Sequence, residues 1–161
     1  MIDETGFYVY NKLTISCHRR QNVRAVAISQ KILVIEDDPS FQRYLSFILE
    51  KEGYQVVLAS NGLVGLRKAK EESPDLLISD VMLPGLDGFE ICHRLRSDPA
   101  TAGLPILMLS AKGQESDKQT ASRMGANEFY VKPVDRQVLL NKVKELLAGK
   151  EEKGDRSQPP G

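Results

Sequence analysis

From Lys31 onward the chain alternates between short apolar runs and longer segments whose apolar residues recur every three or four positions. KILVIE (31–36) is β-branched and nearly continuous in apolar character, which predicts a buried strand. Pro39 and Ser40 then open a helix in which Phe41, Leu45, Ile48 and Leu49 recur at helical spacing, and Gly53 closes it. The same unit repeats four times. YQVVLA (54–59) predicts a strand, and the helix after Asn61–Gly62 carries Leu63, Leu66 and Ala69. DLLISD (75–80) predicts a strand, and the helix after Gly88 carries Phe89, Ile91, Cys92 and Leu95. PILMLSA (105–111) is followed by a polar helix from Glu115 to Met124 that Gly125 ends. EFYVK (128–132) predicts the last strand, and a final helix starting near Asp135 buries Val138, Leu139, Val143, Leu146 and Leu147.

Five strands alternating with five helices, four of the strands almost free of polar residues, predict an α/β fold. The expected architecture is a doubly wound five-stranded parallel sheet covered on both faces. The regular domain spans residues 31–148. Residues 1–30 show no clear period, although FYVYNKLTIS (7–16) has strand propensity, and they form an extension of unassigned structure. The tail GKEEKGDRSQPPG (149–161) is polar and rich in Gly and Pro, so disorder is expected there.

Composition narrows the function classes. With 161 residues the chain can build one core and is short for two ordinary domains. Lys plus Arg and Asp plus Glu are each 22, so the net charge of zero gives no drive toward nucleic acid or anionic membrane. Cys17 and Cys92 are far apart and not at metal-ligand spacing, which argues against a disulfide framework and for a reducing cytosol. No apolar run approaches the roughly 18 residues that span a bilayer. AVAI (25–28) is too short for a signal-peptide core. The expectation is a soluble, cytoplasmic protein without direct nucleic-acid or membrane contact.

In open parallel sheets, ligands bind beyond the carboxyl ends of the strands, where the strand order reverses. The first strand ends in Glu36, Asp37 and Asp38, the third in Asp80, the fourth in Ser110, and the fifth in Lys132 followed by Pro133. Asp80 is expected to be exposed where its strand stops, with Pro84, Gly85, Asp87 and Gly88 keeping the backbone open around it. Clustered carboxylates repel, which raises a pKa or recruits a cation. Hard oxygen ligands with few protein contacts suit Mg²⁺. A lysine and a hydroxyl supply a charge and a hydrogen bond for phosphoryl oxygens, and carboxylates are phosphoryl acceptors in covalent catalysis. In-line phosphoryl transfer needs mainly positioning and charge neutralisation, which this set provides. Each residue alone has a plainer reading. A single Asp at a strand end is more often a helix cap or a solvated loop charge. Their coincidence on neighbouring strand ends marks a shared site.

The motifs ILVIEDDPS (32–40), SDVMLPGLDG (79–88), PILMLSA (105–111) and FYVKP (129–133) make residues 31 to about 148 resemble the receiver domain of two-component response regulators, of the stand-alone type. The spacing also matches that family: Asp80 lies 43 residues after Asp37, and Ser110 and Lys132 lie 30 and 52 after Asp80. The resemblance implies a flavodoxin-like topology with strand order 2-1-3-4-5. It makes Asp80 the phosphoacceptor, Asp37 and the backbone carbonyl of Met82 ligands of Mg²⁺ beside Asp80, and Glu36 a contact through a water. Ser110 and Lys132 are implied to hold the phosphoryl group. Asp38 falls one place beyond the acidic pair and reads as loop or helix cap. The Lys132–Pro133 bond is implied to be cis. Phe129, three before Lys132, matches an aromatic switch that turns inward when Ser110 moves, with plain packing as the other reading.

The resemblance further implies a histidine kinase or histidine phosphotransfer protein as donor. It also implies a protein effector at the face made by the fourth helix, fifth strand and fifth helix. A phosphorylation-dependent homodimer stays open. The 29 residues after Lys132 are taken up by the last helix and tail, so the expected output passes through a bound partner or a phosphorelay rather than a DNA-binding domain. Met82, two after Asp80, and Lys112, two after Ser110, cannot act as a general base for an attacking water, so slow hydrolysis of the acyl phosphate is expected. Three rivals remain: an unphosphorylated interaction module, a flavin-binding protein of the same topology, and an Asp-nucleophile hydrolase. The flavin reading lacks a Ser/Thr/Gly-rich cradle after the first strand, and the hydrolase reading lacks Asp-x-Asp there.

Overall fold

The apolar runs assemble as β1 (Lys31–Ile35), β2 (Gln55–Ala59), β3 (Leu76–Asp80), β4 (Ile106–Ser110) and β5 (Glu128–Val131), in a computed structural model that describes residues 29–154. The five strands form one parallel sheet, as the pattern predicts, in the order β2-β1-β3-β4-β5 that the resemblance implies. Chain order reverses between β1 and β3, so the carboxyl ends of those two strands flank the crevice where such sheets bind ligands.

Helices α1 (Pro39–Lys51), α2 (Gly62–Glu71), α3 (Gly88–Ser97), α4 (Glu115–Met124) and α5 (Arg136–Gly154) connect and cover the strands. Alternate strand residues point to opposite faces. Ile32, Val34, Ile78, Leu107 and Leu109 face a layer containing Leu45, Ile48 and Leu49 of α1 and Leu139, Leu140, Val143 and Leu147 of α5. Leu33, Ile35, Leu77, Ile106 and Met108 face Ala69 of α2, Ile91 and Leu95 of α3, and Ala121 of α4. Every residue of β3 and β4 is buried. Each fully buried Leu or Ile contributes roughly 1.5–3 kcal/mol of transfer free energy.

Two helices differ in detail from the periodic reading. In α2 the buried positions are Gly62, Gly65 and Ala69, while Leu63 is 65% exposed. A Cβ on Gly65 would stand 2.2 Å from Ile35 Cδ1, so the helix lies so close to β1 that its inner stripe has room only for small residues. In α5, Leu139, Leu140, Val143 and Leu147 are buried, Leu146 is half-buried and Val138 is 47% exposed. The carboxylate of Asp135 accepts from the N–H groups of Gln137 (2.8 Å) and Val138 (3.0 Å), which fixes the phase of the first turn. This helix also continues to Gly154, beyond the end at 148 that the sequence suggests. The proposed extension, apart from Ser29 and Gln30, and the tail from residue 155 lie outside the described residues.

The two ends of α4 are held differently. Gln114 precedes it without a side-chain cap. At the other end Gly125 takes φ +92°, the Cys92 thiol donates to Met124 O (3.1 Å), and Arg96 Nε donates to Gly125 O (2.9 Å). Arg96 also reaches Ala102 O, Leu104 O and Asn127 Oδ1, and Asn127 Oδ1 accepts the N–H of Ile106 as well. Among the described residues, no helix is long and apolar enough to cross a membrane.

Candidate functional site

The carboxyl ends of β1, β3, β4 and β5 bring the expected residues to one rim. Glu36 follows β1 directly and is 2% exposed, while its neighbour Asp37 points to solvent. Gln42 on α1 donates from Nε2 to both Glu36 O (3.2 Å) and Ala59 O (3.0 Å), tying the ends of β1 and β2 to the helix. Asp38 is the cap of α1: its Oδ1 accepts from Ser40 N (2.7 Å) and Phe41 N (3.2 Å), and these bonds hold its carboxyl below the usual range. That leaves Glu36 and Asp37 free of capping duty.

Asp80 closes β3 and is only 7% exposed, contrary to the exposed carboxylate expected from the end of its strand. The loop after it folds back rather than away. Met82 N donates to Asp80 Oδ1 (3.0 Å), and Gly88 N donates to Val81 O (2.9 Å). A Cβ on Gly88 would stand 2.3 Å from Asp80 O, so glycine permits this return at the start of α3. Met82 itself is 55% exposed at the mouth.

Carboxylate oxygens of Glu36, Asp37 and Asp80 lie within 4.8 Å of one another. Lys132 reaches across from the end of β5, where the Lys132–Pro133 bond is cis, as the resemblance implies. Its Nζ donates to Glu36 Oε2 (2.7 Å) and Asp80 Oδ2 (2.9 Å). Burial raises the pKa of Glu36, with the charge of Asp80 adding to it, and the hydrogen bond from Lys132 only partly offsets this. Burial alone would lower the Lys132 ammonium, yet the bonds and charges of Glu36 and Asp80 prevail and hold it above the usual lysine value. The cluster therefore retains a tightly held cation and an acid reluctant to ionise. Three hard oxygen donors of this kind, one of them open to solvent, fit a small divalent ion that keeps several waters.

Ser110 ends β4 beside Val131 of β5 and is 1% exposed. Its Oγ accepts from Lys112 N (3.1 Å), which leaves its own proton for another acceptor. Phe129 sits opposite Met108, half-buried against the layer under α2, α3 and α4. One feature has no signal in the sequence pattern, which assigns Phe41 only to the apolar face of α1. The ring lies under Lys132, with Nζ 4.4 Å from its centroid.

Comparison with known proteins agrees with this geometry. Residues 32–144 match the family model described as the response regulator receiver domain. The chain is 39% identical over 119 residues to the protein PilH of Pseudomonas aeruginosa, covering 74% of this chain and 98% of that one. It is 44% identical to the DNA-binding dual master transcriptional regulator RpaA of Synechocystis, covering 73% of this chain but 48% of that protein, so it spans about half of such relatives. Among solved structures it is similar to the receiver domain of the sensor histidine kinase PA1611 from Pseudomonas aeruginosa, which has a magnesium ion coordinated in its active site cleft. That likeness has a TM-score of 0.70 and 28% identity, and it covers 74% of this chain and 98% of that one.

Proposed function

Because the chain belongs to the response regulator receiver domain family, whose members are signalling phosphoacceptors of two-component systems, we propose that Asp80 is its phosphoacceptor. The observation that carries the reading is the bridge of Lys132 between Glu36 and Asp80 inside a cluster of three carboxylates. A donor histidine kinase or histidine phosphotransfer protein presents a phosphohistidine at the rim. The P–N bond breaks as an Asp80 carboxylate oxygen forms the new P–O bond, and the proton that the leaving imidazole needs comes from solvent.

Asp37, Asp80 and the backbone carbonyl of Met82 would hold Mg²⁺, with Glu36 acting through a water. The ion supplies charge neutralisation for the phosphoryl oxygens. The chain's own residues do the rest. Lys132 is already at 2.9 Å from Asp80 and transfers its bond from the carboxylate to a phosphoryl oxygen. Ser110 donates its hydroxyl proton to another. As Ser110 moves, Phe129 turns inward, and the face formed by α4, β5 and α5 changes for a protein effector or the next carrier of a phosphorelay. Phe129 lines an open cleft of about 190 Å³ between α4 and β5, together with Lys118, Ala121, Ser122 and Ala126. This is a shift between two packings biased by one local contact. The chain on this reading catalyses only its own phosphorylation and dephosphorylation, in the cytoplasm. A second copy of the chain is a further candidate partner for the phosphorylated form.

Incubation with acetyl phosphate and Mg²⁺ tests the reading. Intact mass should rise by one phosphoryl group, located on Asp80 after borohydride reduction, and Asp80→Asn should show no adduct. A wild-type protein that gains no mass would overturn it.

A further inference from the structure

A lysine ammonium has three N–H donors. Two of them at Lys132 point to Glu36 Oε2 and Asp80 Oδ2. The third side faces an aromatic ring: Nζ is 4.4 Å from the centroid of Phe41, well inside the range for a cation–π contact. The ring is not placed by chance packing. Asp38 Oδ1 accepts the N–H of Phe41 at 3.2 Å, fixing the first turn of α1. The ring is flanked by Tyr44, with centroids 5.9 Å apart, and is half-buried against the layer between α1, α5 and the sheet.

We propose that Phe41 is a positioning residue for Lys132, holding its ammonium beside Asp80 while the two carboxylate partners change. This rests on the phosphoacceptor reading of Asp80. Phosphorylation converts the Asp80 carboxylate into an acyl phosphate, and the Mg²⁺ that the transfer requires would sit against Glu36 and Asp37, so both anionic partners of Lys132 are altered by the chemistry. The ring is not. It carries no proton to lose and is no candidate for the metal, so it is the one contact common to the states before and after transfer. Its negative face attracts the ammonium without binding it in a fixed direction, which suits a cation that must pivot from a carboxylate to a phosphoryl oxygen. A packing role alone would require an apolar volume at this position but not a π face.

Two measurements separate these roles. In the unphosphorylated protein, the Lys132 Cε protons should be displaced upfield by the ring current, and Phe41→Leu should return them to ordinary lysine shifts. Phe41 replaced by 4-fluoro-, 3,5-difluoro- and 3,4,5-trifluorophenylalanine keeps the ring's shape while weakening its face. Phosphorylation by acetyl phosphate should slow progressively along that series, to roughly fivefold below wild type, with melting temperatures unchanged. Equal rates across the fluorinated series, or Lys132 shifts that ignore Phe41→Leu, would overturn the proposal while leaving Asp80 as acceptor. A wild-type protein that accepts no phosphoryl group would overturn the underlying reading and this proposal with it.

Discussion

The Lys132 ammonium lies 2.9 Å from Asp80 Oδ2, so a cation from the end of β5 is paired with a carboxylate from the end of β3, across the intervening β4. The same nitrogen reaches Glu36 at the end of β1. One side chain therefore neutralises acids delivered by two other strands, and its removal leaves them facing each other in a buried setting.

Lys132→Met should destabilise the metal-free protein by about 3 kcal/mol, the lower end for breaking a buried pair. Because the carboxylates then repel without a counter-charge, Mg²⁺ should raise the urea midpoint more in the variant than in wild type. An equal Mg²⁺ effect in both proteins would count against mutual neutralisation.

Glu36 gives the acid cluster a pH signature. Burial raises its folded pKa above the ordinary glutamate value, so the folded state holds this proton more tightly than the unfolded one. Its contribution is fully present below the unfolded pKa of about 4.3 and is lost as pH rises through the folded pKa. In EDTA, Glu36→Gln should remove this component, so the stability difference between variant and wild type should shift in the variant's favour on going from pH 4 to pH 7. Thermal melts across that interval are the measurement, and a pH-independent difference would contradict the assignment.

Gly88→Ala tests the loop that encloses Asp80. The added Cβ meets Asp80 O at 2.3 Å and Val81 Cα at 2.9 Å, both backbone atoms that cannot swing away. The expected cost is about 2 kcal/mol. The Met82 N–H bond to Asp80 Oδ1 should weaken too, seen as loss of protection of the Met82 amide in hydrogen exchange.

On the phosphoacceptor reading, the mouth of the site predicts the lifetime of the acyl phosphate. Met82 and Lys112 are both exposed and offer no carboxylate or amide to orient water. Wild-type decay should take minutes or longer, and Met82→Asn with Lys112→Glu should accelerate it roughly a hundredfold, the lower end for one positioned general base. Radiolabel loss after removal of the donor reads this directly.

The parallel sheet and the residues at its strand ends were legible because a doubly covered sheet forces apolar runs that end at polar rims, whereas the strand order came only from the family resemblance. The phase of two helices was not. Hydrophobic periodicity gives weight to Leu63, but Gly65 faces β1 because the helix approaches too closely for any larger side chain. In α5 three consecutive apolar residues compete, and the Asp135 cap selects Leu139 and Leu140 over Val138. The burial of Asp80 escaped for a related reason. A Pro/Gly loop reads as open, whereas its backbone folds back through the Gly88 N–H to Val81 O bond. The ring under Lys132 could not be read at all, since residues 41 and 132 meet only through the fold.

The fastening of α4 has a mechanical result. Cys92 and Arg96 clasp its trailing carbonyls, and Arg96 moors the same corner to the segment before β4 and to Asn127. The leading end follows the short stretch after Ser110 and has no side-chain clasp. Any displacement of that stretch is thus levered about the Gly125 corner, swinging the leading turn most and the trailing turn least.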